Sequence, residues 1–116
     1  MRHKPTDAEL REASKVFKAL SHPDRLRLTC LLADRAGATQ HELVEELGWP
    51  QSTVARHLGT LRERGLVKGH RHGSEVLLEA TAMPRHLLDA VCEWMHPGAS
   101  ELADAGPGPA FVGEEA

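Results

Sequence analysis

Residues 39–65 read TQHELVEELGWPQSTVARHLGTLRERG, and the fold turns on this stretch. Thr39 and Glu42 form a capping box, in which a hydroxyl and a carboxylate three residues apart satisfy each other's orphan amides at a helix start. The short helix that follows carries Leu43, Val44 and Leu47 on one face and stops at Gly48, a residue that tolerates the left-handed conformation at a helix end. Pro50 suits the first turn of a second helix, where its missing amide costs nothing. That helix sets Val54, Leu58 and Leu61 at i, i+4 and i+7 and is expected to end at Gly65. Opposite the stripe lie Ser52, Ala55, Arg56, Gly59 and Glu63, a face slim enough for a backbone to approach a groove. Two short helices joined this tightly are either an ordinary packed pair or a helix-turn-helix whose second helix enters the DNA major groove.

The residues downstream favour the second alternative. Residues 66–71 and 75–79 are strand-length runs on either side of His72-Gly73-Ser74, the pattern of a β-hairpin with a Gly-containing turn. A helix-turn-helix followed by a hairpin is a winged helix, mainly α with a β-hairpin wing. Upstream, Thr6 and Glu9 form another capping box, opening a helix with Leu10, Ala13, Val16, Phe17 and Leu20 on its apolar face. Ser21-His22-Pro23-Asp24 breaks and restarts the chain into a helix bearing Leu26, Leu28, Cys30, Leu31 and Leu32, which ends before Gly37. Downstream of the hairpin, Thr81 is positioned to cap a last helix, with Pro84 in its first turn, that runs to about residue 96 before Pro97-Gly98 stops it.

A chain of 116 residues is one domain, and a small core of this kind gains stability from dimerisation. Residues 1–5 are expected to be a flexible tail, 6–96 the DNA-binding and dimerisation domain, and 97–116 a disordered acidic Gly/Pro-rich tail. The formal net charge of −3 conceals an asymmetry. Glu101, Asp104, Glu114 and Glu115 stand in residues 97–116 without a Lys or Arg, whereas residues 51–72 carry Arg56, Arg62, Arg64, Lys68 and Arg71 against Glu63 alone. Basic charge is thus concentrated on the helix and wing that would meet DNA. Two cysteines in no paired spacing point to reduced thiols in a cytoplasmic protein, and no apolar run approaches a membrane span. No Ser/His/Asp set, Gly-rich phosphate loop or convergent carboxylate pair speaks for an enzyme.

The runs FKALSHPDRLRL at residues 17–28, QSTVARHL at 51–58 and LRERGLV at 61–67 resemble the ArsR/SmtB family of bacterial winged-helix regulators, over residues 16–81 and in an unbroken order of elements. The resemblance implies four helices, a hairpin and a final helix, in a homodimer bound to an operator of approximate two-fold symmetry. It implies repression, with release of DNA when a metal binds. It puts the DNA contacts on Gln51, Ser52, Thr53, Arg56 and His57, with Arg71 on the wing. Ala55 departs from the Ser that many members carry there. The residue types suit these roles: Gln51 can read adenine bidentately, Ser52 and Thr53 offer hydroxyls, and Arg56 can take guanine or phosphate. His57, on the flank of the helix, is either a DNA contact or a partly buried, hydrogen-bonded side chain. His70 and His72 on the wing are expected near phosphate.

For sensing, the helix over residues 39–47 lacks the Cys-x-Cys-like box of the family's thiolate sensors, which argues against arsenic, cadmium or lead at that place. Cys30, set among Leu28, Leu31 and Leu32, reads as packing. The last helix carries Leu87, Ala90, Val91, Trp94 and Met95 as an apolar face for a symmetry mate. Beside it His86, Asp89, Glu93 and His96 are spaced 3, 4 and 3, which stacks them on one stripe. That stripe is either a solvated polar face or a nitrogen and oxygen donor set suited to Ni(II) or Zn(II). A free amino terminus with a third-position His can wrap Cu(II) or Ni(II) in a square plane, which adds His3 to the candidates, and the resemblance, whose nickel sensors recruit N-terminal groups to the partner's last helix, puts nickel slightly ahead of zinc. The alternative is a winged-helix regulator that answers to a partner protein, such as a corepressor, or to a small molecule.

Overall fold

The structure, a computed structural model, describes residues 3–98. Its elements in chain order are α1 (Asp7–Leu20), α2 (Pro23–Ala33), α3 (Gln40–Leu47), α4 (Gln51–Glu63), β1 (Val67–His72), β2 (Glu75–Ala80) and α5 (Ala82–Met95). This is the winged helix-turn-helix that the sequence leads one to expect. The acidic tail expected over residues 97–116 lies, from residue 99 on, outside the described residues.

Local chemistry accounts for the helix ends. Both capping boxes form, with Glu9 N–H donating to Thr6 Oγ1 at 3.1 Å and Glu42 N–H to Thr39 Oγ1 at 3.1 Å, while each Glu carboxylate accepts the Thr amide in return. Gly48 closes α3 in the left-handed region at φ 70°, and its amide reaches the carbonyl of Val44. Pro50 stands one residue outside α4, at its N-cap, rather than inside the first turn. Thr81 also holds the N-cap position of α5, but its hydroxyl does not cap that helix. It donates instead to the carbonyls of Gly65 at 2.8 Å and Leu66 at 3.2 Å, tying the end of the wing to the end of α4.

The core is formed by Ala19 and Leu20 of α1, Leu28 and Leu32 of α2, Leu43 of α3, Val54, Leu58 and Leu61 of α4, and Leu66, Val67, Leu78 and Ala80 around the wing. In the wing β1 and β2 run antiparallel, with Val67 opposite Ala80 and His72 opposite Glu75. His72 is therefore the last residue of β1, and the turn is Gly73-Ser74 alone. Ala38 joins β2 from its other side through one isolated antiparallel bridge, exchanging amide–carbonyl bonds of 3.0 and 2.8 Å with Leu78. Gly69 is closely covered: a Cβ there would meet Val76 Cγ1 at 3.0 Å and Leu78 Cδ2 at 3.2 Å, so a larger residue would require these side chains to give by a few tenths of an ångström. The expected apolar faces of α1 and α5 are only partly used within the chain. Leu10 and Phe17 on α1, and Met83, Val91 and Trp94 on α5, remain exposed.

Candidate nucleic-acid interface

The polar face of α4 is presented as a set. Gln51, Ser52, Ala55 and Arg56 are exposed and Thr53 is half-buried. Val54, Leu58 and Leu61 on the other side are buried, so packing holds the helix while its first turns remain open. The N-cap of α4 is Pro50, which offers no side-chain cap; the Thr53 and Val54 amides donate to its carbonyl at 3.0 and 3.2 Å, and the positive helix end at Gln51 and Ser52 suits an anion such as phosphate. Lys68 and Arg71 are exposed on β1, and Arg62 and Arg64 are exposed at the far end of α4. His70, also exposed, has its Nδ1 at 3.4 Å from Glu79 Oε2 across the hairpin.

His57 is a correction. It is 2 % exposed and lies in the interior, not on the flank that would touch DNA. Its ring packs 4.9 Å from that of His22 at a 59° tilt and 6.3 Å from the Trp49 ring, edge-on. The buried-side-chain alternative is the one that holds, except that its Nδ1 has no hydrogen-bond partner. Burial, followed by the charges of His22, Arg56 and Arg25, pushes its pKa below the ordinary value, and the imidazole is neutral at pH 7.

The positions raised for metal are not gathered within one chain. His3 Nε2 donates to Glu9 Oε1 at 3.0 Å, at the start of α1, and this contact holds the Glu9 carboxyl below its usual range. His86, Asp89 and His96 are exposed on α5 and Glu93 is half-buried. Among the described residues, the one group of three or more His, Cys, Asp or Glu side chains with donor atoms all within 4.8 Å is His22, Asp24 and His57.

Cys30 departs from its expected packing role. It is exposed, and with Cys92 it lines a pocket of about 480 Å³ between α2 and α5 that also takes in Asp34, Arg85, His86 and Asp89. Partial burial, then Asp34 and Cys92, pushes the Cys30 thiol pKa up. Arg85, which also lines this pocket, bonds to three backbone carbonyls. It donates from Nε to the carbonyl of Ala80 at 3.1 Å, from Nη1 to Ala33 at 2.6 Å and from Nη2 to Arg35 at 3.3 Å. Helix periodicity carried no signal for either feature, since each joins residues from distant parts of the chain.

The profile of the arsR family of bacterial regulatory proteins matches residues 22–68, the segment running from the His22 cap through α4 into the wing. The arsenic resistance transcriptional regulator ArsR1 of Pseudomonas putida is 35% identical over 102 residues, covering 81% of this chain and 80% of that protein. The chain belongs to the ArsR family. The biofilm growth-associated repressor of Xylella fastidiosa is 35% identical over 81 residues, 69% of this chain and 70% of that protein. The crystal structure of the X. fastidiosa transcriptional repressor BigR superposes with a TM-score of 0.63 at 32% identity, covering 73% of this chain and 84% of BigR. As an ArsR-family member the protein is a DNA-binding transcriptional regulator and not an enzyme. No helix among its described residues is long and apolar enough to cross a membrane.

Proposed function

We propose that this ArsR-family protein is a homodimeric repressor that reads an operator of approximate two-fold symmetry and releases it when an effector acts at α5. The observation that carries this reading is the open polar first turn of α4, with Gln51, Ser52 and Arg56 exposed above a fully buried apolar stripe. Gln51 and Arg56 would read base edges, Ser52 and Thr53 would hold phosphate or base edges, and Arg71 would take a wing-side phosphate. The exposed Leu10, Phe17, Val91 and Trp94 support a dimer built on α1 and α5. Repression follows the role named for the X. fastidiosa relative.

Ni(II) or Zn(II) is the effector we favour, held by His86, Asp89, Glu93 and His96 with His3 contributed from across the dimer. The P. putida relative, by its name, serves resistance to arsenic, and imidazole with carboxylate suits these harder divalent ions better. Closing the ligand set requires the second chain. The thiols beside His86 and Asp89 move the preference from nickel towards zinc, which accepts sulfur, nitrogen and oxygen alike. A coupling of about 1 to 3 kcal/mol between metal and operator suffices for regulation.

A second reading rests on Cys30 and Cys92 sharing one pocket. Here the input is an oxidant of the peroxide class. Cys92 attacks one peroxide oxygen to give a sulfenic acid and water, and Cys30 then displaces a second water to form the disulfide, so two thiols and one hydrogen peroxide give a disulfide and two waters. The raised Cys30 thiol suits the resolving step rather than the first attack.

Fluorescence anisotropy on operator DNA, with Ni(II), Zn(II) and hydrogen peroxide added separately, tests both readings. Loss of DNA affinity with metal, abolished in His86→Ala/His96→Ala, is the expected result. Loss with peroxide that disappears in Cys92→Ser selects the thiol reading. Unchanged affinity under all three additions overturns both and leaves a partner protein or small molecule as the effector.

A further inference from the structure

The junction between the α1–α2 turn and α4 brings together three donor side chains that the DNA-binding surface does not use. His22 is the N-cap of α2, and its Nδ1 accepts the Asp24 amide at 3.2 Å, near the long limit for such a bond. A neutral His22 in this arrangement carries its proton on Nε2, so the Nδ1 lone pair is the one it can offer a cation. Asp24, one residue into α2 from Pro23, is half-buried, and His57 approaches from α4. One nitrogen from each imidazole and one carboxylate oxygen lie within 4.8 Å of one another. Buried imidazole nitrogens are normally hydrogen-bonded, yet His57 Nδ1 has no partner.

We propose that His22, Asp24 and His57 form a divalent transition-metal site of the Zn(II) class, separate from α5, that fastens the DNA-reading helix to the start of α2. Two imidazoles and a carboxylate are a common three-residue zinc set, with the fourth position left to water. The ligand atoms, already within 4.8 Å of one another, must settle at about 3.3 Å, the separation that tetrahedral bonds of about 2.0 Å impose. Asp24 supplies the negative charge opposing Arg25 and Arg56, the cations that act on His57. His22 and Asp24, both half-buried, provide the route in from solvent. Binding at His22 Nδ1 competes with the Asp24 amide, so the metal exchanges a helix cap for a link between α2 and α4. Because Arg56 is the neighbour of His57 in α4, this link acts directly behind the proposed DNA contact.

Co(II) absorption on the full chain, followed by displacement with Zn(II), tests the proposal. Asn at position 22 keeps an N-cap acceptor and Asn at position 24 keeps the shape of Asp, so neither change threatens the fold. The parent and His86→Ala/His96→Ala should each show one tetrahedral Co(II) equivalent assigned to this site, and it should be lost in both His22→Asn and Asp24→Asn. Zinc should raise the Tm of His86→Ala/His96→Ala and leave that of the same variant with Asp24→Asn added unchanged. A Co(II) spectrum and stoichiometry in His22→Asn and Asp24→Asn equal to the parent's would overturn the site, as would its loss in the α5 double variant or the absence of any Co(II) binding by the parent.

Discussion

The Arg85 guanidinium donates to the carbonyl oxygen of Ala33 at 2.6 Å, and this bond joins the first turn of α5 to the last turn of α2. The carbonyls at a helix C-terminus lack intrahelical donors and carry partial negative charge, so a planar cation with several N–H groups is well matched to them. The same guanidinium reaches Arg35 and Ala80, which places one side chain at the meeting point of α2, the wing and α5. Both cysteines lie in the pocket that Arg85 lines, so its position fixes how α5 sits over α2.

Arg85→Ala should therefore destabilise the protein by about 1.5 to 3 kcal/mol, the range for hydrogen bonds to a charged group. Arg85→Lys should recover only part of the loss, because an ammonium cannot span three carbonyls. Urea unfolding of the three proteins measures this, and an unchanged midpoint in Arg85→Ala would contradict the clamp.

Positions 56 and 57 are neighbours with opposite fates, and substitution should separate them. Arg56→Ala and Gln51→Ala are expected to weaken operator binding by about 1 to 3 kcal/mol each while unfolding is unchanged. His57→Ala should instead cost stability, by roughly 2 kcal/mol or more, the scale of large-to-small changes in a packed interior. Operator titrations and thermal melts on the same samples check both halves.

The depressed pKa of His57 sets the sign of a pH dependence. In the unfolded chain the imidazole titrates near its ordinary value of about 6.5, whereas in the native state it resists protonation. Between the two values the unfolded state binds more protons, so stability is full above that ordinary value and declines as pH falls through the folded pKa. Urea midpoints across this window should show the decline in the parent and a shallower one in His57→Gln.

The exposed apolar side chains of α1 and α5 lead to a test of assembly. Phe17→Glu or Trp94→Glu places a charge where the proposed dimer buries a ring, and analytical ultracentrifugation should find the monomer favoured. Operator affinity should fall with it, because half-sites are then no longer held at a fixed spacing. A variant that stays dimeric would move the interface elsewhere.

Much of this protein was legible in residues close together in the chain. Thr6 with Glu9, Thr39 with Glu42, and Gly48 act over three or four residues, and each appears in the structure in its expected place. The apolar spacing of Val54, Leu58 and Leu61 likewise fixed the buried stripe of α4, since helical geometry alone puts those positions on one side. What periodicity could not supply was the identity of the neighbour across each face. His57 sits at the edge of the stripe, and it became interior because His22 and Trp49 cover that edge. Thr81 had an obvious local use as a cap and was taken by the carbonyls of Gly65 and Leu66 instead. Ala38 bonds to Leu78, Arg85 bonds to Ala33, and Cys30 shares a pocket with Cys92. Each of these pairs joins elements far apart along the chain. Their meeting depends on how the helices dock, a property of packing among all the elements that no local pattern of residues encodes.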